Sequence, residues 1–225
     1  MKVRIKFSKT GVIKFIGHLD LMRFFQKAFR RTDIKVSYSG GFSPHMIMSF
    51  AQALGVGVES EGEYFDVELD DGQDISNLVE ELNKQMVEGI CVKSAKLLPE
   101  KTMNAMASVA AASYEINFYK GNPLKPETID KYNEASELPY TKKTKTGEHT
   151  FNIKDFVFAI GFIEKGVSFT IDASSSGNIK PRYLLETLAK LEGIDLDTHP
   201  FHILRTDLLL RKEDGSLAPL DDIDE

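Results

Sequence analysis

The chain has 225 residues, enough for one large domain or two small ones with a buried core. It is 42% apolar and 28% charged, as globular proteins are, and no apolar run is long enough to span a bilayer. The single cysteine, Cys91, excludes an internal disulfide and a cysteine-rich zinc or iron–sulfur site held by this chain alone. We therefore expect a soluble cytoplasmic protein without a cofactor, with Cys91 buried in its apolar run.

The first half of the chain predicts the element order β-α-β-β-α-β. Polar and apolar residues alternate over residues 2–7, which predicts a strand that residues 12–16 extend. Apolar residues then recur at helical spacing over residues 18–31. The remaining predicted elements are strands at 34–38, 63–69 and 91–97 and a helix at 74–86. This order is ferredoxin-like, so we predict an α+β fold with one such half at residues 1–99.

The second half repeats the order more loosely after a linker at 102–111. The patterns predict strands at 114–119, 139–145, 149–163, 167–173 and 201–211, and helices at 126–135 and 181–192. We therefore predict a second ferredoxin-like half at 112–211 with an added hairpin at Glu164-Lys165-Gly166. Residues 212–225 are acidic and polar, which predicts a frayed tail.

Positive charge is concentrated at the N-terminus, although the whole chain has a net charge of −6. Residues 1–45 hold ten Lys or Arg and two acids, hence +8, and the remaining 180 residues hold 18 and 32, hence −14. This asymmetry indicates an anionic partner for the N-terminal part. The alternative is a solvated face whose cations pair with the acidic remainder.

The predicted helix at 18–31 carries four cations on one face: Arg23, Lys27, Arg30 and Arg31. Guanidinium groups match phosphate oxygens, so this face is a candidate for binding a phosphodiester backbone, although an ordinary solvent face has the same pattern. Five cations on other predicted elements complete the anion-binding set: Arg4, Lys6, Lys180, Arg182 and Arg205.

The loop at 39–45 is a second candidate for anion binding. Gly40 and Gly41 let backbone amides approach an anion, and Ser39 and Ser43 add hydroxyl donors. A turn needs glycine for its own geometry as well. The loop is a stronger candidate for anion binding than an isolated Gly-Gly turn because it lies within the basic segment.

Two histidines are candidates for catalysis. His18 begins the basic helix and His45 ends the glycine-rich loop. If both approach one phosphodiester, they could act as base and acid in metal-free RNA cleavage. With Asp20 they could instead hold a metal, although His-x-Asp is not a specific metal signature. The structural alternative is that His18 caps the helix and His45 packs.

Several stretches of the chain resemble a bacterial family of radical-SAM-associated proteins. They are RIKFSK at 4–9, FIGHLDLMR at 15–23, GFSPH at 41–45, SF at 49–50 and GVGVESEGEY at 55–64, followed by NIKP at 178–181 and RT at 205–206. Family members usually carry Ser at the position of Gly17, and Asn-Pro-His-Pro in place of Ser43-Pro44-His45-Met46. Both histidines are retained.

The resemblance implies a setting in RNA metabolism or translation. In that family the domain stands alone or is fused to a cobalamin-binding-type radical SAM protein, and its genes often lie beside an E/G-type ribonuclease and ribosomal protein genes. The paired layout also resembles CRISPR RNA-processing proteins at the level of fold. We therefore expect an accessory protein that binds RNA or a ribosome-linked substrate beside a radical SAM protein. The alternatives are a metal-independent endoribonuclease using His18 and His45, and a module that docks a radical SAM enzyme.

Overall fold

The computed structural model describes residues 1–144 and 147–223 of an α+β protein. The end of the predicted strand at 139–145 and the last two residues of the predicted tail lie outside the described residues. The chain forms two compact units, Met1–Ala110 with Arg205–Glu225, and Ala111–Leu204. Within the described ranges, no helix has the length and apolar composition needed to cross a membrane.

Elements are numbered along the whole chain. The strands are β1 (Lys2–Lys9), β2 (Met48–Phe50), β3 (Glu59–Glu68), β4 (Ile90–Leu97), β5 (Ala111–Phe118), β6 (Pro139–Thr144), β7 (Gly147–Asn152), β8 (Val157–Ile163), β9 (Gly166–Asp172), β10 (Phe201–Arg211) and β11 (Leu217–Pro219). The α-helices are α1 (His18–Phe29), α2 (Leu78–Asn83), α3 (Ala105–Ser108), α4 (Pro126–Glu134) and α5 (Pro181–Glu192). Short 3-10 helices cover Gly11–Phe15, Ile153–Phe156 and Leu196–Thr198.

The sheet of the first unit has the strand order β4–β1–β3, with β2 and β10 both paired to β3. The pairs that β1 forms with β3 and β4 are antiparallel, as is the pair of β2 with β3. Alternate residues of β1, such as Ile5 and Phe7, point to the face that α1 and α2 cover. Four phenylalanines from α1 and three strands form the centre of this core, with ring centroids 4.8 to 6.1 Å apart: Phe7, Phe25, Phe50 and Phe65.

The opposite face of this sheet is covered by α3 and by the C-terminal segment. Arg4 on β1 donates to the carbonyl oxygens of Leu220 and Met103, and the Ala105 amide donates to Asp66 on β3. Leu220 is fully buried, and β11 pairs with β10. The predicted frayed tail is therefore wrong up to residue 223, because a few apolar residues within the acidic segment pack on the sheet.

The second unit contains an antiparallel sheet with the order β5–β9–β8 and a separate hairpin, β6–β7. The predicted hairpin at Glu164-Lys165-Gly166 is present, because its turn joins β8 to β9. Both of its strands belong to the sheet, and the hairpin that stands apart from the sheet is β6–β7. Buried leucines of α5, including Leu184 and Leu188, contribute to the core of this unit.

Four local predictions are corrected by the structure. Residues 12–16 lie mostly in a 3-10 helix, and residues 34–38 form only isolated bridges, Val36 to Leu69 and Tyr38 to Met46. The helix expected at 74–86 is limited to α2, because Asp74 and Ser76 bond to each other in a turn before it. Cys91 is exposed, because its neighbours Ile90 and Val92 occupy the core-facing positions of β4.

Candidate functional site

The outward face of α1 is the main cationic surface of the first unit. The inward side is buried through Leu21, Phe25, Ala28 and Phe29, which fixes the orientation of the helix. The cations predicted from spacing are all exposed on α1 and just after its end: Arg23, Lys27, Arg30 and Arg31. We call these four residues the α1 cationic face.

Three members of the α1 cationic face have no carboxylate partner within the described residues: Lys27, Arg30 and Arg31. Arg23 contacts Asp20 at 3.3 Å, with both side chains about two-thirds exposed (66% and 69%). Such an exposed pair contributes little stability, so Arg23 can exchange its partner readily. The face therefore presents up to four cations to solvent, three of them unneutralised.

The basic residues predicted on the strands occupy a different environment. Arg4 is 1% exposed and its guanidinium pairs with Asp66, with Nε 2.8 Å from Oδ1. Arg205 is 2% exposed and pairs with Glu63. The prediction that Arg4 and Arg205 bind an external anion is therefore wrong, because both are sealed in internal ion pairs.

Lys6 belongs to a further internal network on the same side of the sheet. Its Nζ lies 2.7 Å from Oδ2 of Asp207, and the buried Tyr64 hydroxyl donates to Asp207 at 2.7 Å and lies 3.1 Å from Asp221 Oδ1. Burial, with Asp207 next in effect, raises the pKa of Tyr64 well above its usual range. Lys6 is thus committed to these carboxylates and is not a free phosphate ligand.

The glycine-rich loop is closed by a two-residue clamp. The Ser39 amide donates to the His45 carbonyl oxygen, the His45 amide donates to Ser39 Oγ, and Ser39 Oγ lies 2.8 Å from His45 Nδ1. Gly41 has a φ of 98°, which a side chain would strain. Between the clamping residues, Gly40, Gly41, Phe42 and Ser43 are exposed. The hydroxyl of Ser39 is therefore engaged in hydrogen bonds within the loop, whereas Ser43 is exposed to solvent.

The two histidines have different neighbours in the structure. The His18 ring packs edge-on against Phe50, with centroids 5.2 Å apart. His45 is exposed, and its Nδ1 lies 2.8 Å from Ser39 Oγ. In the described part of the chain His18 thus contacts Phe50 while His45 contacts Ser39, and the predicted catalytic pair stays a prediction.

A metal site at these residues has no support in the geometry. Among the residues that the structure describes, no three His, Cys, Asp or Glu side chains come together as a metal ligand set would. Asp20 instead contacts Arg23, as the outward position of both on α1 dictates.

Lys180 and Arg182 lie in the second unit, at the start of α5. Lys180 is exposed, and Arg182 Nε lies 2.7 Å from Glu186 Oε1, one helical turn along. Glu186 raises the pKa of Arg182 through this bond. The preceding loop folds around the carboxylate of Asp172, which accepts from the Ser174 amide and hydroxyl. A half-buried negative charge at the centre of this loop disfavours a second anion there.

One exposed feature escaped the sequence prediction. Large apolar side chains of Val12, Phe15, Leu19 and Val56 face solvent around the start of α1. Alternation at residues 12–16 suggested a strand, which would have buried one face. The i and i+3 spacing of Val12 and Phe15 is the signal that could have identified a 3-10 turn instead.

A family model described as an uncharacterized protein conserved in bacteria (DUF2344) matches residues 2–181. No curated protein matches the chain.

Proposed function

The chain belongs to the DUF2344 family of bacterial proteins, and we propose that it is an accessory RNA-binding protein whose α1 cationic face holds the phosphodiester backbone. The observation that carries the proposal is the lack of carboxylate partners for Lys27, Arg30 and Arg31 in the described part of the chain, on a helix that is otherwise firmly seated. Four cations along about two turns suit the repeated charges of a backbone.

Three other basic residues of the N-terminal segment are neutralised by carboxylates. Arg4 pairs with Asp66, Lys6 with Asp207, and Lys14 with Glu59. The α1 cationic face differs from these residues because it groups several exposed cations on one helix, which favours an external anion there.

The fold supports a helical binding surface. The order β4–β1–β3–β2 with antiparallel neighbours supports a ferredoxin-like first unit, and the order β5–β9–β8 supports a second one with β6–β7 added. RNA-recognition modules of this type bind bases on the open sheet face. Here that face carries α3 and the C-terminal segment over Arg4 and Asp66, so we place the RNA on α1.

The partner that we propose for this RNA-binding role is a radical SAM protein. The support is the resemblance of the segments at 4–64 to radical-SAM-associated proteins, which also favours an RNA from ribosome-linked metabolism. The family match covers the same segments. Neither proposal requires this chain to cleave RNA.

The test is binding of a fluorescein-labelled, 20-nucleotide single-stranded RNA, followed by anisotropy as a function of salt. Each backbone contact on a single strand contributes roughly 0.7 to the slope of log K against log salt. Four contacts predict a slope of about 2.8, so the affinity should fall about 50-fold between 50 and 200 mM salt. A slope near zero would contradict a backbone contact at this face.

Charge reversal locates the contact. The triple variant Lys27→Glu, Arg30→Glu and Arg31→Glu should abolish binding at 100 mM salt. A control variant reverses three exposed lysines off this face, so that its net charge is the same: Lys96→Glu, Lys101→Glu and Lys120→Glu. Retained binding in the first variant, or equal loss in both, would refute the proposed surface. Running the assay in EDTA and resolving the RNA on a gel detects any cleavage.

A further inference from the structure

A group of exposed apolar side chains lies at the end of the first unit where α1 begins. Val12 is 78% exposed, Phe15 65%, Val56 65% and Leu19 60%. Isolated exposed apolar residues are normal, but a contiguous group bordered by charge marks an interaction surface. We call these four residues the apolar platform.

Backbone contacts assemble the platform from two separate segments. Val12 and Phe15 are three residues apart in a 3-10 helix, where side chains at that spacing lie above one another. The Gly57 amide donates to the Lys14 carbonyl oxygen at 2.9 Å, which brings the loop of Val56 beside Phe15. A Cβ built at Gly57 would lie 4.0 Å from Phe15 Cε1.

A buried lysine holds the platform in place. Lys9 is 1% exposed, and its Nζ donates to the carbonyl oxygens of Ile16, at 2.7 Å, and Lys14, at 3.4 Å. Burial lowers the pKa of Lys9. On the other side, Lys14 Nζ pairs with Glu59 at 2.9 Å. The segment that carries Phe15 is thus anchored at its end, and a preformed surface loses little conformational entropy on binding.

The charge next to the platform selects the partner. Leu19, Arg23 and Lys27 follow one another at four-residue spacing on the outward side of α1, so the apolar surface runs into a cationic one. Of the two carboxylates nearby, Glu59 is paired with Lys14, and Asp20 contacts Arg23 in an exposed pair that leaves Arg23 able to change partner. A complementary ligand therefore carries apolar side chains followed by carboxylates.

We propose that the apolar platform, together with Arg23, docks an amphipathic acidic segment of a partner protein. A helix with apolar residues at i, i+3 and i+4 and acids beyond them fits both parts of the surface. A second copy of this chain fits poorly, because a two-fold contact would set Arg23 and Lys27 of one copy against those of the other. An RNA backbone would gain nothing from Val12 and Phe15.

The test is selection from a random 16-residue peptide library displayed on phage. Binders to the wild-type chain are enriched while binders to the double variant Phe15→Ser, Leu19→Ser are removed. Enriched peptides should carry a net negative charge and at least two large apolar residues. Their affinity, measured with synthetic peptides, should fall at least tenfold in the double variant and about threefold in Arg23→Ala.

Controls separate loss of contact from loss of fold. Phe158→Ser with Phe162→Ser replaces two exposed aromatic residues of the second unit and should leave peptide binding unchanged. Val12→Lys is a further variant at a 78% exposed position, where substitution cannot disturb the core, and it should also weaken binding. Lys27→Glu with Arg30→Glu and Arg31→Glu should abolish RNA binding while a platform peptide still binds, so the two proposals fail separately.

Several outcomes would overturn the docking proposal. These are no enrichment over the double variant, enrichment of basic peptides, and peptides that bind the double variant equally well. Sedimentation with vesicles of 30% phosphatidylglycerol, lost in Phe15→Ser, would assign the platform to a lipid surface. A dimer in analytical ultracentrifugation that the same substitution dissociates would assign it to a second copy.

Discussion

The buried ion pair of Arg205 and Glu63 should be a stability element whose two halves contribute unequally. The exposed fractions are 2% and 3%. Arg205 Nε donates to Glu63 Oε1 at 2.7 Å, Nη2 donates to Oε2, and Nη1 donates to Gln52 Oε1 at 2.7 Å. Removing one partner of such a pair costs about 3–5 kcal/mol, because the other charge stays buried.

The buried cation Lys9 determines which of the two substitutions, at Arg205 or at Glu63, lowers stability more. Its pKa is lowered first by burial, then raised by Glu63 and lowered by Arg205, so all three charges act on one another. Arg205→Met leaves Glu63 with Lys9 as a counter-charge, and the loss should be about 3 kcal/mol. Glu63→Met removes the carboxylate that acts on both buried cations, and the loss should be about 5 kcal/mol.

The assay is urea unfolding of both single variants and of the double variant, followed by circular dichroism at 222 nm. The chain has no tryptophan, so tyrosine fluorescence serves as the second probe. The double variant should lose about 2 kcal/mol, much less than the sum of the single losses, since a paired apolar replacement leaves only Lys9 charged. Additive losses, or a larger loss for Arg205→Met than for Glu63→Met, would refute this reasoning.

Three further predictions concern the tail, the loop and alkaline stability. Leu220→Ala should lower the free energy of unfolding by about 2–5 kcal/mol in urea, because the side chain is fully buried, whereas a change within error would mean that the tail is frayed. Ser39→Ala should speed hydrogen exchange of the His45 amide about tenfold, because that amide donates to the lost hydroxyl; unchanged exchange would contradict the clamp. The folded chain keeps the Tyr64 proton that the unfolded chain loses above pH 10, so between pH 10 and 11.5 the free energy of unfolding of the wild type should fall by about 1.4 kcal/mol per pH unit more than that of Tyr64→Phe. Parallel pH profiles of the two proteins would exclude a raised pKa.

The parts of the site that the sequence predicts are those that depend on local spacing. The apolar period over residues 18–31 predicts both the existence of α1 and the side that Arg23 and Lys27 face, because the core selects the phenylalanine side. The α+β class also follows from the order of the elements. The resemblance to a bacterial domain of unknown function agrees with the family match at residues 2–181.

The parts that fail depend on contacts between distant residues. Arg4 pairs with Asp66, which is 62 residues away in the sequence, and Arg205 pairs with Glu63, which is 142 residues away. The periodicity of a strand does not reveal a partner so distant in the sequence. A basic residue on a strand is therefore predicted to be exposed even where it is buried in an ion pair. The surroundings of His45 could not be predicted for a different reason, because the position of a loop close to a helix in the sequence does not determine where that loop lies on the sheet.

The charge asymmetry of the chain has two physical origins, and they respond differently to salt. Of the ten basic residues in positions 1–45, Lys9 is buried and three pair with carboxylates of the acidic remainder: Arg4, Lys6 and Lys14. Ten minus four leaves six exposed cations, of which four form the α1 cationic face. Partly buried pairs are screened weakly, so salt should leave the fold intact while it releases a polyanion from α1. The charge asymmetry thus contributes to folding through the paired cations and to binding through the exposed ones. Only the binding of a polyanion should depend strongly on salt.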